Sequence, residues 1–178
     1  MSASTDTLAG IILTGGQSSR MGEDKAGLVW KGQSFLDHAR DRLAGAGCNL
    51  VRISGRAGDD AIPDTMKNAG PARAIFDVIE ALRLEAGGYL FLPVDLPLLT
   101  AADLCRLTGA TRPRAFKGHP LPCFIPAGSD LPETPSGRSV YRLLETMDVE
   151  WMDAGHDLAQ RLFNVNTPDD LDRLRASS

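Results

Sequence analysis

A chain of 178 residues with 43% hydrophobic and 24% charged residues has the balance of an ordinary globule, and its size suits a single domain spanning 1–178 behind a flexible stretch at 1–7. Its net charge of -4 makes it a poor candidate for gripping duplex nucleic acid through phosphates, and no apolar run approaches a membrane span, so neither nucleic acid nor membrane is an expected partner. Three widely spaced cysteines (Cys48, Cys105 and Cys123) without a CxxC pair argue against a disulfide framework or a thiolate zinc site and, with no basic leader at the N-terminus, point to a cytoplasmic protein.

The first element is the apolar run Leu8 to Leu13, stopped by Thr14-Gly15-Gly16, which reads as a buried strand. A polar loop follows to about Lys31. Phe35, Leu36, Ala39, Leu43 and Ala46 then recur at helical spacing, predicting a helix over 34–46 that ends at Gly47. Residues 50–54 predict a second strand. Residues 70–86 predict a helix with Ile75, Ile79 and Leu82 on one face, and 89–94 a third buried strand ending at Asp95. Thr100 and Asp103 have the spacing of a reciprocal helix cap. In the extended stretch 114–126, Pro120, Pro122 and Pro126 limit any strand to short or edge positions. Residues 136–147 read as a helix and 149–152 as a short strand. Leu162 to Asn166 reads as an alternating strand running into a helix that starts at Thr167-Pro168-Asp169-Asp170. Alternating strands and helices predict a mostly parallel sheet covered on both faces, with ligands beyond the carboxyl ends of the strands.

Two loops are expected to meet there. After the first strand come Gly15, Gly16, Ser18, Ser19, Arg20, Gly22 and Lys25. Adjacent glycines let backbone amides turn toward an anion, the serines add hydroxyl donors, and Arg20 and Lys25 supply a guanidinium fork and a mobile charge. The loop is neither a Walker A sequence nor a dinucleotide fingerprint. A plain turn with solvated charges is the alternative, and the concentration of these residue types in one loop favours phosphate. After the third strand comes Asp95, ahead of Leu96-Pro97. It suits a Mg²⁺ ligand that bridges phosphate oxygens, or a carboxylate capping a turn before proline. Asn164 and Asn166 share one face of an extended segment, and from the residues alone turn chemistry ahead of a helix is the favoured account of them.

The segment LTGGQSSRMGEDKAGL closely resembles the N-terminal signature of the molybdenum cofactor guanylyltransferases of the MobA type, with the glycine pair, the arginine, RMG and DK at the family spacing. PVDLPLLT resembles the second landmark of that family, a metal-binding aspartate in a D-x-P context, and FNVNTPDDL is similar to its closing motif. The resemblance implies a three-layer αβα sandwich with a mostly parallel, Rossmann-like sheet of the nucleotide-diphospho-sugar transferase type. It implies that Leu13 and Thr14 lie by base and ribose and that Gly15, Gly16 and Lys25 wrap the triphosphate. It also implies that Arg20 meets the shifting charge and that Asp95 holds Mg²⁺. Asp64 fits by position an aspartate that contacts the nucleotide, while Arg138, Asn164 and Asn166 fall on the side of the pterin acceptor. Lys117 and His119 stand where the family carries cations. The chain departs from the family at Thr14, where alanine is usual. It departs again at Gly70-Pro71-Ala72-Arg73-Ala74, where Ala74 replaces the second glycine of a Gly-Pro-x-x-Gly turn.

The implied reaction transfers GMP from GTP to the phosphate of molybdopterin or molybdenum cofactor and releases pyrophosphate. Its partners are GTP, the pterin and, transiently, proteins that deliver the molybdenum cofactor. Two rivals follow from the same residues. One is a cytidylyl- or other nucleotidyltransferase acting on a different phosphorylated acceptor, which Arg73 and Ala74 keep open. The other is a catalytically inactive nucleotide- or cofactor-binding module, against which Lys25 and Asp95 count.

Overall fold

The first strand, β1 (Leu8–Leu13), is buried along all but its first residue. The computed structural model describes residues 7–14, 24–55, 58, 60–62, 70–83, 86–133 and 139–176. Within the stretch read as polar loop, a 3₁₀ turn (Lys25–Gly27) is capped by Asp24, whose carboxylate accepts from the Ala26 N–H. A small antiparallel ribbon follows, β2 (Val29–Trp30) with β3 (Gln33–Ser34). Both lay hidden in the sequence because elements of two or three residues carry no periodicity. Ser34 caps α1 (Phe35–Gly45), on which Phe35, Ala39 and Leu43 are buried as their spacing predicts.

Next come β4 (Leu50–Ser54), the two-residue β5 (Ala61–Ile62) and α2 (Pro71–Ala81). The second helix starts at Pro71, the favoured first position, and Gly70 precedes it at φ 90°, a conformation glycine alone adopts freely. It ends well short of residue 86, yet Ile75, Ile79 and Leu82 are buried as expected. β6 (Gly88–Pro93) is the third buried strand. α3 (Ala101–Cys105) carries the capping box read from the sequence, with both reciprocal bonds present between Thr100 and Asp103.

The segment 114–126 overturns an expectation. It forms β7 (Arg114–Phe116) and the eight-residue β8 (His119–Pro126), and β8 lies inside the sheet between β6 and β7. The prolines are tolerated because the ladder is interrupted where they stand. Pairing with β6 covers Cys123 to Pro126, and pairing with β7 jumps from Cys123 to His119, so Pro120 and Pro122 fall in the bulge and Pro126 ends the strand. The chain closes with α4 (Val140–Thr146), β9 (Glu150–Met152), α5 (Gly155–Arg161) and α6 (Pro168–Ala176). α5 was not legible, because only Leu158 of its seven residues is buried. Leu162 to Asn166 is not the strand expected. Residues 163–166 run as irregular chain across the sheet ends.

The sheet order is β5-β4-β1-β6-β8-β7-β9. β4, β5 and β6 join β1 in a parallel block, and β9 runs parallel to β7, while β8 is antiparallel to both its neighbours. Alternate residues feed two cores. Ile12, Leu90, Leu92, Phe116 and Phe124 pack with α1, α3, α5 and α6. Ala9, Ile11, Leu13, Tyr89, Phe91 and Ile125 pack with α2 and α4 on the other face. Gly10 is a packing requirement. A Cβ there would lie 2.9 Å from Cys48 Sγ and 3.1 Å from Leu43 Cβ, so the glycine lets α1 and its exit seat directly on the strand.

Candidate active site

From β1 the chain moves to β4 and β5 on one side, then returns to β6 on the other. The carboxyl ends of β1 and β6 therefore flank a point where the winding reverses, the usual ligand crevice of such sheets. Lys25 follows β1 and Asp95 follows β6, and their side chains meet there. Lys25 Nζ donates to Asp95 Oδ2 at 2.9 Å and to Asn166 Oδ1 at 2.6 Å. Three residues distant in sequence share one ammonium. Lys25 and Asp95 side chains are 18% and 17% exposed, enough shelter to strengthen the charges and enough opening to admit a ligand.

Each strand end is fixed. Thr14 donates its N–H and its hydroxyl to the Ser54 carbonyl, at 3.1 and 2.9 Å. The departure from alanine is thus used for the scaffold, tying β1 to β4. The Val94 N–H donates to the Leu13 carbonyl at 3.1 Å and joins the β6 exit to β1. The Asp95 turn is pinned by Leu96 and Leu99 in the core, by Arg42 of α1 donating to the Pro97 carbonyl, and by the Val165 N–H donating to the Asp95 carbonyl at 2.9 Å. Burial pushes the Arg42 guanidinium below its ordinary value, against the opposing pull of Asp41. Arg42 was missed in the sequence, where a basic residue beside an apolar helical stripe carries no signal of a distant carbonyl.

The closing segment is held from its other end by α6. Asp170 Oδ2 accepts from the Asn166 and Thr167 N–H groups at 3.0 and 2.9 Å, and Thr167 Oγ1 accepts from the Asp170 N–H. Hydrogen bonding to Thr167 and to the Asn166 N–H holds the Asp170 carboxyl below the usual range. Asn166, expected toward the acceptor, is thereby set against Lys25. Asn164 is exposed, two residues before it across the buried Val165. Lys117 and His119 border the bulge between β7 and β8. Gly15, Gly16, Arg20, Asp64 and Arg138 lie outside the described residues. Arg73, at the departure from the family turn, bonds Asp77 at 2.8 Å on the same helix and stacks over Phe76.

Asp95 Oδ1 is buried and has no hydrogen-bond partner among the described residues. A buried anionic oxygen left over beside a lysine matches the needs of a divalent cation, since Mg²⁺ binds through one or two carboxylates and completes its shell with substrate phosphates and water. Among the described residues no group of three or more His, Cys, Asp or Glu is placed to hold a metal.

The MobA-like NTP transferase domain matches residues 10–149, which contain Lys25, Asp95 and the β1–β6 crevice. The chain belongs to that family. A molybdenum cofactor guanylyltransferase from Xanthomonas euvesicatoria is 32% identical over 176 residues, covering 93% of either chain. Another of that name from Rhizobium johnstonii is 30% identical over 187 residues, covering 92% of this chain and 90% of its own. Among solved structures, a nucleotidyl transferase from Methanothermobacter superposes with a TM-score of 0.78 at 15% identity, covering 97% of both chains. The molybdopterin-guanine dinucleotide biosynthesis protein A of Archaeoglobus fulgidus superposes at 0.71 with 17% identity, covering 95% of this chain and 97% of its own. These two share the fold: the MobA-like sheet with its helices on both faces.

Proposed function

We propose that this MobA-like chain transfers GMP from GTP to the phosphate of molybdopterin or molybdenum cofactor, releasing pyrophosphate. The observation that carries the reading is the meeting of Lys25 and Asp95 at the reversal of the sheet, in a chain about 30% identical to guanylyltransferases over most of its length. An acceptor phosphate oxygen attacks the α-phosphorus of GTP. The bond from that phosphorus to the α–β bridging oxygen breaks, and pyrophosphate leaves with the electron pair. The acceptor arrives ionised, so no protein nucleophile is required.

The residues then have simple roles. Lys25 leaves Asp95 for the triphosphate and neutralises charge there, with the amides of Gly15 and Gly16 and the guanidinium of Arg20 wrapping the same chain. Asp95 would hold Mg²⁺, which when bound supplies charge neutralisation across the phosphates. Leu13 and Thr14 border the base and ribose, and Asp64 contacts the nucleotide. Arg138 and Asn164 face the acceptor. Catalysis in this arrangement is positioning and charge compensation. Among the described residues no helix is long and apolar enough to cross a membrane. A cytoplasmic site of action and a transient handover to molybdenum cofactor delivery proteins complete the proposal.

Pyrophosphate release measured with each of the four nucleoside triphosphates, with molybdopterin and Mg²⁺ supplied, tests it. GTP alone should support turnover. Preference for CTP would convert the reading to a cytidylyltransferase, and nucleotide binding without any release would make the chain a binding module.

A further inference from the structure

We infer that Asn166 is a positioning residue for Lys25, acting in nucleotide binding before any acceptor is present. The inference rests on the nucleotidyl-transfer reading and deepens it, because the same asparagine was expected from resemblance on the acceptor side.

An ammonium has three donors. Lys25 gives one to Asp95 Oδ2 and one to Asn166 Oδ1, the shorter bond of the two. The third has no partner among the described residues and is available to a ligand. With its carboxylate holding a divalent cation, Asp95 would no longer pair with Lys25, whose charge sits on a flexible four-carbon stem and would be free to wander. Asn166 prevents this. Its amide oxygen is neutral and competes poorly for the cation, so it keeps the ammonium in the crevice during the exchange. It also leaves the full positive charge unneutralised for phosphate. A carboxylate at the same place would hold the lysine equally well but would compete with the triphosphate for it.

The asparagine is built to stay in place. Its N–H is bound by Asp170 Oδ2 of α6. The residue before it, Val165, is fully buried and donates its N–H to the backbone carbonyl of Asp95. Asn166 is thus tethered through one neighbour to the turn that carries the carboxylate and through its own amide to a helix cap. Asp95 and Asn166 are thereby held at a fixed separation, with the Lys25 ammonium between them.

The test is GTP affinity by calorimetry with Mg²⁺ and no acceptor, on wild type, Asn166→Ala and Asn166→Asp, followed by KM values for GTP and for acceptor. Asn166→Ala should weaken GTP about 5- to 10-fold, the net size of one hydrogen bond at an exposed site. Asn166→Asp, nearly isosteric, should weaken it further, and in both variants the acceptor KM should stay within about twofold. An unchanged GTP affinity with a raised acceptor KM would overturn the inference and return Asn166 to the acceptor. Asn166→Asp binding GTP as tightly as wild type would overturn it as well. Wild type that binds no GTP at all would sink the nucleotidyl-transfer reading itself.

Discussion

Replacing Asp95 by alanine should separate stability from activity in opposite directions. Among the described residues the carboxylate contributes one ion pair, with Lys25, between side chains that are each under a fifth exposed, worth about 1 kcal/mol near a surface. Against it stands Oδ1, buried and without a hydrogen-bond partner among the described residues, a loss of about 1–3 kcal/mol. The backbone carbonyl that accepts from Val165 survives the substitution, and Lys25 keeps Asn166. The balance favours the variant by about 0–2 kcal/mol, the pattern of a functional group kept at a cost to stability. For a chain of this size that is a melting temperature unchanged or raised by up to about 8 °C. Pyrophosphate release should fall by about a thousandfold, since several kcal/mol of charge compensation at the phosphates disappear. The assays are a thermal melt without metal or nucleotide and pyrophosphate release with GTP, acceptor and Mg²⁺. A melt lowered by more than about 3 °C would refute the reasoning by making the carboxylate structural.

The remaining predictions concern the scaffold. Asp103→Asn should lower stability by about 2–3 kcal/mol at neutral pH, because the buried carboxylate accepts two bonds from Arg161, at 2.7 and 2.8 Å, and completes the Thr100 cap. Burial raises the Asp103 carboxyl, but the bonds from Arg161 and Thr100 outweigh it and leave the group below its ordinary 3.8. A depressed carboxyl stabilises above the unfolded value and loses that contribution as pH falls through the folded one, so the gap between wild type and variant should be flat from about pH 8 to pH 5 and close below 3.8 in urea unfolding. Gly10→Ala should cost about 1–3 kcal/mol by overpacking against Cys48 and Leu43, with Gly10→Val worse, read from thermal melts.

The sequence disclosed what repeats or what is chemically unusual. β1, β4 and β6 were legible as short apolar runs and α1 by the helical spacing of its buried residues, and the Thr100 and Thr167 caps because helix starts demand specific side chains. Lys25 and Asp95 stood out because they follow buried strands in loops with a distinct composition. What stayed hidden depends on long-range partners. The interior position of β8 rests on a bulge that takes Pro120 and Pro122 out of the ladder, and only the pairing of β7 reveals it. Asn166 looked like one of a pair on a strand, yet the segment is irregular and its partner is a lysine 141 positions away. Arg42 supports the Asp95 turn from a helix that sequence spacing reads as mere packing.

The claim on which the account stands is that Lys25 and Asp95 address one polyphosphate chain. Crystals grown with GTP and Mn²⁺ test it through the anomalous signal of the ion. One Mn²⁺ ligated by Asp95 and by phosphate oxygens is expected, with Lys25 Nζ moved off the carboxylate to about 3 Å from a phosphate. A nucleotide bound elsewhere, with Lys25 still paired to Asp95 in the bound state, would contradict it.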